Sequence, residues 1–175
     1  MHDRKTRQSQ PARAVFAADV GGSFMRLARS THPGHIEPLE KLPTPASSWG
    51  AFGDALATAL RMHASGEAGP IALSIAGLVD PDTSTAFSAN IPCITGHRLS
   101  LELGERLQRR VIAANDADCL ALAEAIEGVG KGHGIVFCAV LGTGVGGGLV
   151  VDGRLVRGKA GLTGEWGMAR SSIRV

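Results

Sequence analysis

No run of about 18 consecutive apolar residues occurs in this sequence, so nothing in it reads as a membrane-crossing helix. Cysteine is scarce. The three present (Cys93, Cys119 and Cys138) are odd in number, and no two stand at zinc-ligand spacing. A cytoplasmic protein with reduced thiols is the simplest account, and Cys119 and Cys138, lying in apolar runs, are expected as buried core thiols. The net charge of +2 is too small to point to a nucleic-acid partner. The six histidines (His2, His32, His35, His63, His97 and His133) are scattered, which suits packing or solvation better than metal binding. The basic, polar opening is followed by no apolar stretch of secretory type, and residues 1–13 read as a flexible tail.

Glycine is what the chain has in excess. Its 24 glycines are about twice the usual share of roughly 7%. They are not spread as in a linker but gather at 21–22 and 142–148. With 44% apolar residues in 175, the chain has enough to bury one good core or two small lobes.

The element order predicted from periodicity is α/β. Residues 14–20 form a short apolar strand closed by two glycines, 25–30 its hairpin return, and 36–42 a third strand before Pro43 and Pro45. Ser47 and Ser48 are placed to cap a helix whose face carries Phe52, Leu56, Ala59, Leu60 and His63, with Gly66 ending it. Residues 71–75 are a strand, with a turn-rich loop through Asp80, Pro81 and Asp82 after it. A helix over 99–107 and a strand over 110–114 follow. Asn115 and Asp116 open an alanine- and leucine-rich helix over 117–127, stopped by Gly128. A buried strand at 135–141 precedes a hairpin of 148–151 with 154–156 around Asp152 and Gly153.

The glycine clusters carry the chemistry. At 19–23 the chain reads Asp-Val-Gly-Gly-Ser, and glycines at a strand end let backbone N–H groups approach phosphate oxygens unobstructed. Gly21, Gly22 and Ser23 are therefore candidate phosphate contacts, and Asp19 could hold Mg²⁺ through water. An ordinary hairpin turn with a solvated Asp fits the same residues. At 141–148 the chain reads Leu-Gly-Thr-Gly-Val-Gly-Gly-Gly, which contains the spacing of a dinucleotide fingerprint. That fingerprint needs a helix straight after its glycines, whereas a strand, a tight turn and another strand follow here. A nicotinamide cofactor is excluded on that context, and no Walker-type GKS or GKT exists. What remains is a second strand–glycine–strand phosphate clamp at Gly142 and Gly144, with the Thr143 hydroxyl as a further donor.

Five segments together resemble the ROK family of bacterial sugar kinases and sugar-responsive repressors. They are Asp-Val-Gly-Gly-Ser (19–23), Ala-Asn-Ile-Pro (89–92), Asn-Asp-Ala-Asp-Cys-Leu-Ala-Leu-Ala-Glu (115–124), the 141–148 loop, and Gly-Glu-Trp-Gly (164–167). Within the family, the stretch Ser-Ala-Asn-Ile-Pro and the spacing are nearest to the N-acetylglucosamine kinases, with glucokinases next. The resemblance implies an actin-like ATPase (ribonuclease H-like) fold: a complete small sugar/phosphate lobe over 14–116 and the incomplete start of a nucleotide-binding lobe over 117–175. It implies ATP and Mg²⁺, a small-molecule sugar, and neither nucleic acid nor membrane as partner. Asp116 corresponds to the catalytic base that accepts the proton of the sugar 6-hydroxyl. From its position alone, a carboxylate just past a strand end suits general-base work, but a helix-start carboxylate complementing the dipole also fits and is the favoured account without the resemblance. Asn115 and Glu165 match positions that hydrogen-bond sugar hydroxyls, Asn90 borders the sugar, and Gly77 lines its pocket.

The resemblance also has breaks. The family's zinc-ligating histidine position holds Met168, whose thioether is no usual zinc ligand, and the family's cysteine-rich zinc motif has no counterpart. The zinc site is therefore expected to be absent. The segment from 168 to 175 no longer resembles the family, which implies a truncated chain and leaves a reading as an inactive sugar-binding remnant open. The region that family homodimers use would be missing too. A repressor would need a helix-turn-helix ahead of Val15, and the preceding stretch is too short for one.

Overall fold

The computed structural model describes residues 14–64, 66–141, 145–161 and 163–164. The expected tail at 1–13, together with Gly142, Thr143, Gly144, Glu165 and Met168, lies outside the described residues.

Five strands form the larger sheet: β1 (Val15–Val20), β2 (Phe24–Ser30), β3 (Glu37–Pro43), β4 (Ile71–Ile75) and β7 (Val111–Asn115), in the order β3-β2-β1-β4-β7. β1, β2 and β3 are an antiparallel meander, whereas β4 and β7 run parallel to β1. The period of two explains the burial: Phe16, Ala18 and Val20 of β1 are buried, while Val15, Ala17 and Asp19 face the other way. Met25, Leu27, Ile71, Leu73 and Ile75 share the buried face.

Two helices cover that face. α1 (Trp49–His63) contributes Phe52, Leu56, Ala59 and Leu60, and α2 (Leu99–Leu107) contributes Leu99 and Leu103. Each large side chain fully buried there contributes roughly 1.5–3 kcal/mol. Ser48 caps α1, its Oγ accepting from the Ala51 N–H at 3.2 Å. The far end differs from expectation: the cap is Ala64, whose N–H still reaches the Leu60 carbonyl at 2.8 Å. Burial of Ala64 in the core holds it there, and Gly66 takes its left-handed φ of +81° two residues later. Between β4 and α2 lies the short hairpin β5 (Leu78–Val79) and β6 (Ala86–Phe87).

The second sheet is the meander β8 (Ile135–Leu141), β9 (Val145–Val151) and β10 (Arg154–Leu155), packed on α3 (Asp116–Ile126). Its β9–β10 turn has positive φ at both Asp152 and Gly153, the two-residue geometry that matches strand twist. A small core gathers Ala121, Val136 and Val150. Among the described residues, no helix is long and apolar enough to cross a membrane.

One expectation needs correction here. The glycine cluster at 141–148 is not a single loop: Leu141 pairs with Val145, and Gly146, Gly147 and Gly148 lie within β9. Gly148 is there for packing. A Cβ on it would stand 2.6 Å from the Ala121 Cβ and 3.1 Å from the Ala117 carbonyl oxygen, so α3 lies closer to the sheet than a side chain permits. Gly148→Ala should therefore cost about 1–3 kcal/mol, read as a lower urea midpoint with little change in slope.

Candidate active site

The cleft is built where β1, β4 and β7 end. Asp19 is the last outward-facing residue of β1, directly opposite Arg26 on β2 and Ser74 on β4. The Arg26 Nη1 donates to Asp19 Oδ2 at 3.0 Å, and the Ser74 Oγ to Asp19 Oδ1 at 3.4 Å. Both partners of the ion pair are more than half exposed, with side-chain accessibilities of 59% and 53%, so the pair adds little to stability. The turn beyond Asp19 is closed by the Gly21 N–H donating to the Phe24 carbonyl at 3.0 Å. The Thr44 Oγ1 ties it down by donating to the Gly21 carbonyl at 2.7 Å. Gly21 thus spends its amide on the hairpin rather than on a ligand. The amides of Gly22 and Ser23 have no acceptor among the described residues.

Gly22 lies against the segment holding Asn90. A Cβ on Gly22 would stand 3.0 Å from the Asn90 carbonyl oxygen and 3.1 Å from its Cβ. That segment is braced by buried Ser88, whose Oγ donates to the Ala76 carbonyl at 2.7 Å and accepts from the Ile91 N–H at 3.0 Å. Gly77 passes just as closely, its missing Cβ lying 2.6 Å from the Phe87 carbonyl oxygen.

Asn115 joins these pieces. It is buried at the end of β7 and caps α3, its Oδ1 accepting from the Ala117 N–H at 2.8 Å and the Asp118 N–H at 3.1 Å. Its Nδ2 donates to the Gly77 carbonyl at 3.0 Å.

Asp116 follows at the first position of α3. The residue is exposed as a whole, yet burial around its carboxyl raises its pKa above the usual aspartate range, and the charge of Asp19 adds to the rise. The Ala117 N–H, 2.9 Å from Oδ1, opposes the shift. Cys119, one turn on, is half-buried rather than a core thiol. Burial raises its pKa, a hydrogen bond with Ser74 opposes, and the charges of Asp118, Asp116 and Asp19 raise it further. Cys138 and Cys93 are half-buried as well. Asp118 turns away toward a cavity of about 210 Å³ that Arg157, Arg110, Ser84 and Ser100 also line. Its Oδ1 is buried with no hydrogen-bond partner among the described residues, and burial raises its pKa against the pull of Arg157.

Of the residues singled out from sequence, Asp19, Gly21, Gly22, Ser23, Gly77, Asn90, Asn115 and Asp116 thus meet around one cleft through these contacts. Gly142, Thr143, Gly144 and Glu165 lie outside the described residues, although Leu141 and Val145 flank the first three and buried Gly164 precedes the last. Sequence reasoning passed over Arg26, Ser74, Thr44 and Ser88. Arg26 was within reach, because a hairpin closing at 21–24 sets it opposite Asp19; Ser74 and Ser88 arrive through pairings distant in the chain.

Comparison with known proteins follows the same geometry. The ROK family model matches residues 15–171, and the chain belongs to the ROK family. Its fold is that of the actin-like ATPases. It is 36% identical over 162 residues to the N-acetylgalactosamine kinase AgaK of Shewanella sp. (strain ANA-3), covering 91% of this chain and 52% of that protein. It is 35% identical over 160 residues to an N-acetyl-D-glucosamine kinase of Salmonella paratyphi A, covering 90% of this chain and 53% of that one. The chain therefore spans about half the length of the curated relatives it matches. Among solved structures, a ROK family glucokinase from Streptomyces griseus in complex with glucose and AMPPNP superposes with a TM-score of 0.77 at 30% identity, covering 88% of this chain and 49% of that one. A ROK transcriptional regulator superposes at 0.75 but only 20% identity, a likeness of fold alone.

Two measurements check this geometry. Asn115→Ala removes a helix cap and the tie to Gly77 together, and should lower unfolding free energy by roughly 2 kcal/mol. Asn115→Asp keeps the acceptor, loses the donor and should fall between. Asp116 and Asp118 both have raised folded-state pKa values, so the native chain binds more protons than the unfolded one just above the ordinary aspartate range. Stability should then fall as pH rises above about 4, and Asp118→Asn should flatten that fall in urea titrations.

Proposed function

We propose that this chain carries the sugar-binding and first phosphate-binding parts of an ATP-dependent kinase that phosphorylates the 6-hydroxyl of a hexose or N-acetylhexosamine. N-acetylglucosamine, yielding its 6-phosphate, is the favoured substrate. One observation carries the reading: Asp19, near the end of β1, and Asp116, just beyond the end of the parallel strand β7, lie close enough to feel each other's charge, with the Gly21–Gly22 turn following Asp19. Phosphoryl transfer needs a positioned acceptor, donors around the phosphates and a base for the hydroxyl proton. The named kinases at 35–36% identity support the chemistry and the acetamido sugar. The Streptomyces griseus glucokinase supports glucose as the alternative.

In this reading Asp116 accepts the proton of the sugar 6-hydroxyl, and its raised pKa suits a general base better than that of an ordinary aspartate. Asn115, whose carboxamide already fixes the start of α3, sets the direction of that carboxylate and borders the sugar with Asn90 and Gly77. Glu165 completes the sugar contacts. The amides of Gly22 and Ser23, and the Gly142–Thr143–Gly144 turn, hold the phosphates. Asp19 fits magnesium: it is an exposed hard-oxygen donor beside a second carboxylate, and magnesium sites commonly use one or two carboxylates with the nucleotide phosphates. The ion would offset phosphate charge there. The chain divides at α3 into a sugar/phosphate lobe (14–116) and the beginning of a nucleotide lobe (117–175), and it works in the cytoplasm, where ATP is supplied.

The test is ADP release in a coupled assay with ATP and N-acetylglucosamine. Asp116→Asn should lower the rate by about 10²–10⁴-fold. Equal, nonzero rates would remove Asp116 from the mechanism, and a higher kcat/KM on glucose than on N-acetylglucosamine would select the alternative substrate.

A further inference from the structure

The cavity of about 210 Å³ into which Asp118 turns lies beside β7, the edge strand of the larger sheet. Its walls come from distant parts of the chain: the loop between β5 and β6, the start of α2, the first turn of α3 and the segment after β10. Gly161 closes the last of these against the hairpin. Its φ is +74°, and a Cβ there would stand 2.7 Å from the Val79 carbonyl oxygen. Asn115 lines the cavity too, so it shares one wall with the cleft. The two carboxylates are nevertheless separate: Asp116 and Asp118 are two residues apart on α3, about 200° around the helix axis.

Three groups in this cavity lack the partner their chemistry calls for. Asp118 Oδ1 is buried and has no hydrogen-bond partner among the described residues. The charge of Arg157 reaches Asp118, but no hydrogen bond joins them. Neither Arg157 nor Arg110 makes an ion pair or a side-chain hydrogen bond among the described residues. Ser84 and Ser100 supply the third group. Their hydroxyls stand 2.7 Å apart and share one hydrogen bond, so whichever donates, one O–H donor of the pair is left over. Ser84 is held there at a φ of +60°, in the left-handed region that serine rarely adopts. Its N–H donates to the Asp80 carbonyl at 2.8 Å and its carbonyl accepts from the Leu99 N–H at 3.0 Å, which fixes the hydroxyl at the cavity wall.

Two unpaired guanidiniums and one lone acceptor call for a ligand with two different ends. Guanidinium donors suit phosphate oxygens. A buried carboxylate oxygen takes a hydroxyl donor and repels a second anion. We propose that this cavity is a second ligand site that takes a hydroxylated phosphate monoester. Its phosphate sits on Arg110, Arg157 and the remaining serine hydroxyl, and one of its hydroxyls donates to Asp118 Oδ1. The inference rests on the kinase reading above, whose 6-phosphorylated sugar product has this chemistry and is the expected occupant.

The test is isothermal titration of the full chain with N-acetylglucosamine 6-phosphate while excess N-acetylglucosamine fills the cleft. Methyl phosphate, the same charged group without hydroxyls, is the comparison. Wild type should bind the sugar phosphate under this block, and methyl phosphate roughly tenfold more weakly. Arg157→Gln and Arg110→Gln should each weaken the sugar phosphate about tenfold. Asp118→Ala should lower its affinity toward that of methyl phosphate. All three variants should bind N-acetylglucosamine as wild type does, and circular dichroism reports whether they fold. Both arginines are exposed and unpaired, so wild-type spectra are expected; if one arginine variant fails to fold, the other decides.

The inference is overturned if wild type does not bind the sugar phosphate under the block, or if the folded arginine variants bind it within about twofold of wild type. Methyl phosphate binding as tightly as the sugar phosphate overturns it as well. In each case the kinase reading stands on N-acetylglucosamine binding. A wild type that does not bind N-acetylglucosamine overturns the kinase reading instead, and the arginine variants, titrated with the sugar phosphate alone, still decide the cavity.

Discussion

The buried carboxamide of Asn115 accepts the first free amides of α3 with one end and donates to the Gly77 carbonyl with the other. It ties the junction of β7 and α3 to the turn after β4, 38 residues earlier in the chain. Because α3 begins where that cap sets it, the Asp116 carboxyl is held at the cleft rather than swung into solvent. Because Gly77 is tied to the same side chain, the Ser88–Asn90 segment, which packs on Gly77, is positioned from the same point. A side chain with a donor and an acceptor on one rigid plane is needed for this, and an aspartate would offer only acceptors.

Around that joint the glycines serve two different ends. Gly22 and Gly77 bring backbone against backbone at the cleft, where a Cβ would separate the turn from Asn90 or from Phe87. Gly148 lets α3 sit close on β9, and so fixes how the second sheet approaches the first. Neither use of glycine depends on a positive φ. The same residue type therefore marks close approach of two backbone segments in one place and helix–sheet packing in another, and only contacts separate the two.

The charges of the cleft are arranged with a similar economy. Burial, with the charge of Asp19 added to it, raises the pKa of Asp116, and Arg26 and Ser74 hold Asp19 itself. The orphaned oxygen of Asp118 belongs to the other side of α3, facing the cavity beside Arg157. Its burial costs stability that the Asn115 cap helps to offset.

Short apolar runs marked β1, β4 and β8 as strands, although β8, expected to be buried, keeps Ile135, Phe137 and Leu141 exposed because α3 covers only one of its faces among the described residues. Ser48 and Asn115 announced the starts of α1 and α3 because capping chemistry is local. The Asp152–Gly153 turn was equally legible, since few residue pairs tolerate two positive φ angles in succession. The motif segments were enough to identify the family. What tertiary structure decided was everything set by pairing across distance. The end of α1 follows burial of Ala64 rather than Gly66, the glycines 146–148 belong to a strand, and Cys119 lies beside the acidic cleft rather than in a core. The parallel pairing of β1 with β4 brought Ser74 to Asp19, which no local spacing encodes. Local propensity is read from neighbours in the chain; the partners of Asp19 and Asn115 depend on which strands come to lie side by side, and that is fixed only when the whole sheet is assembled.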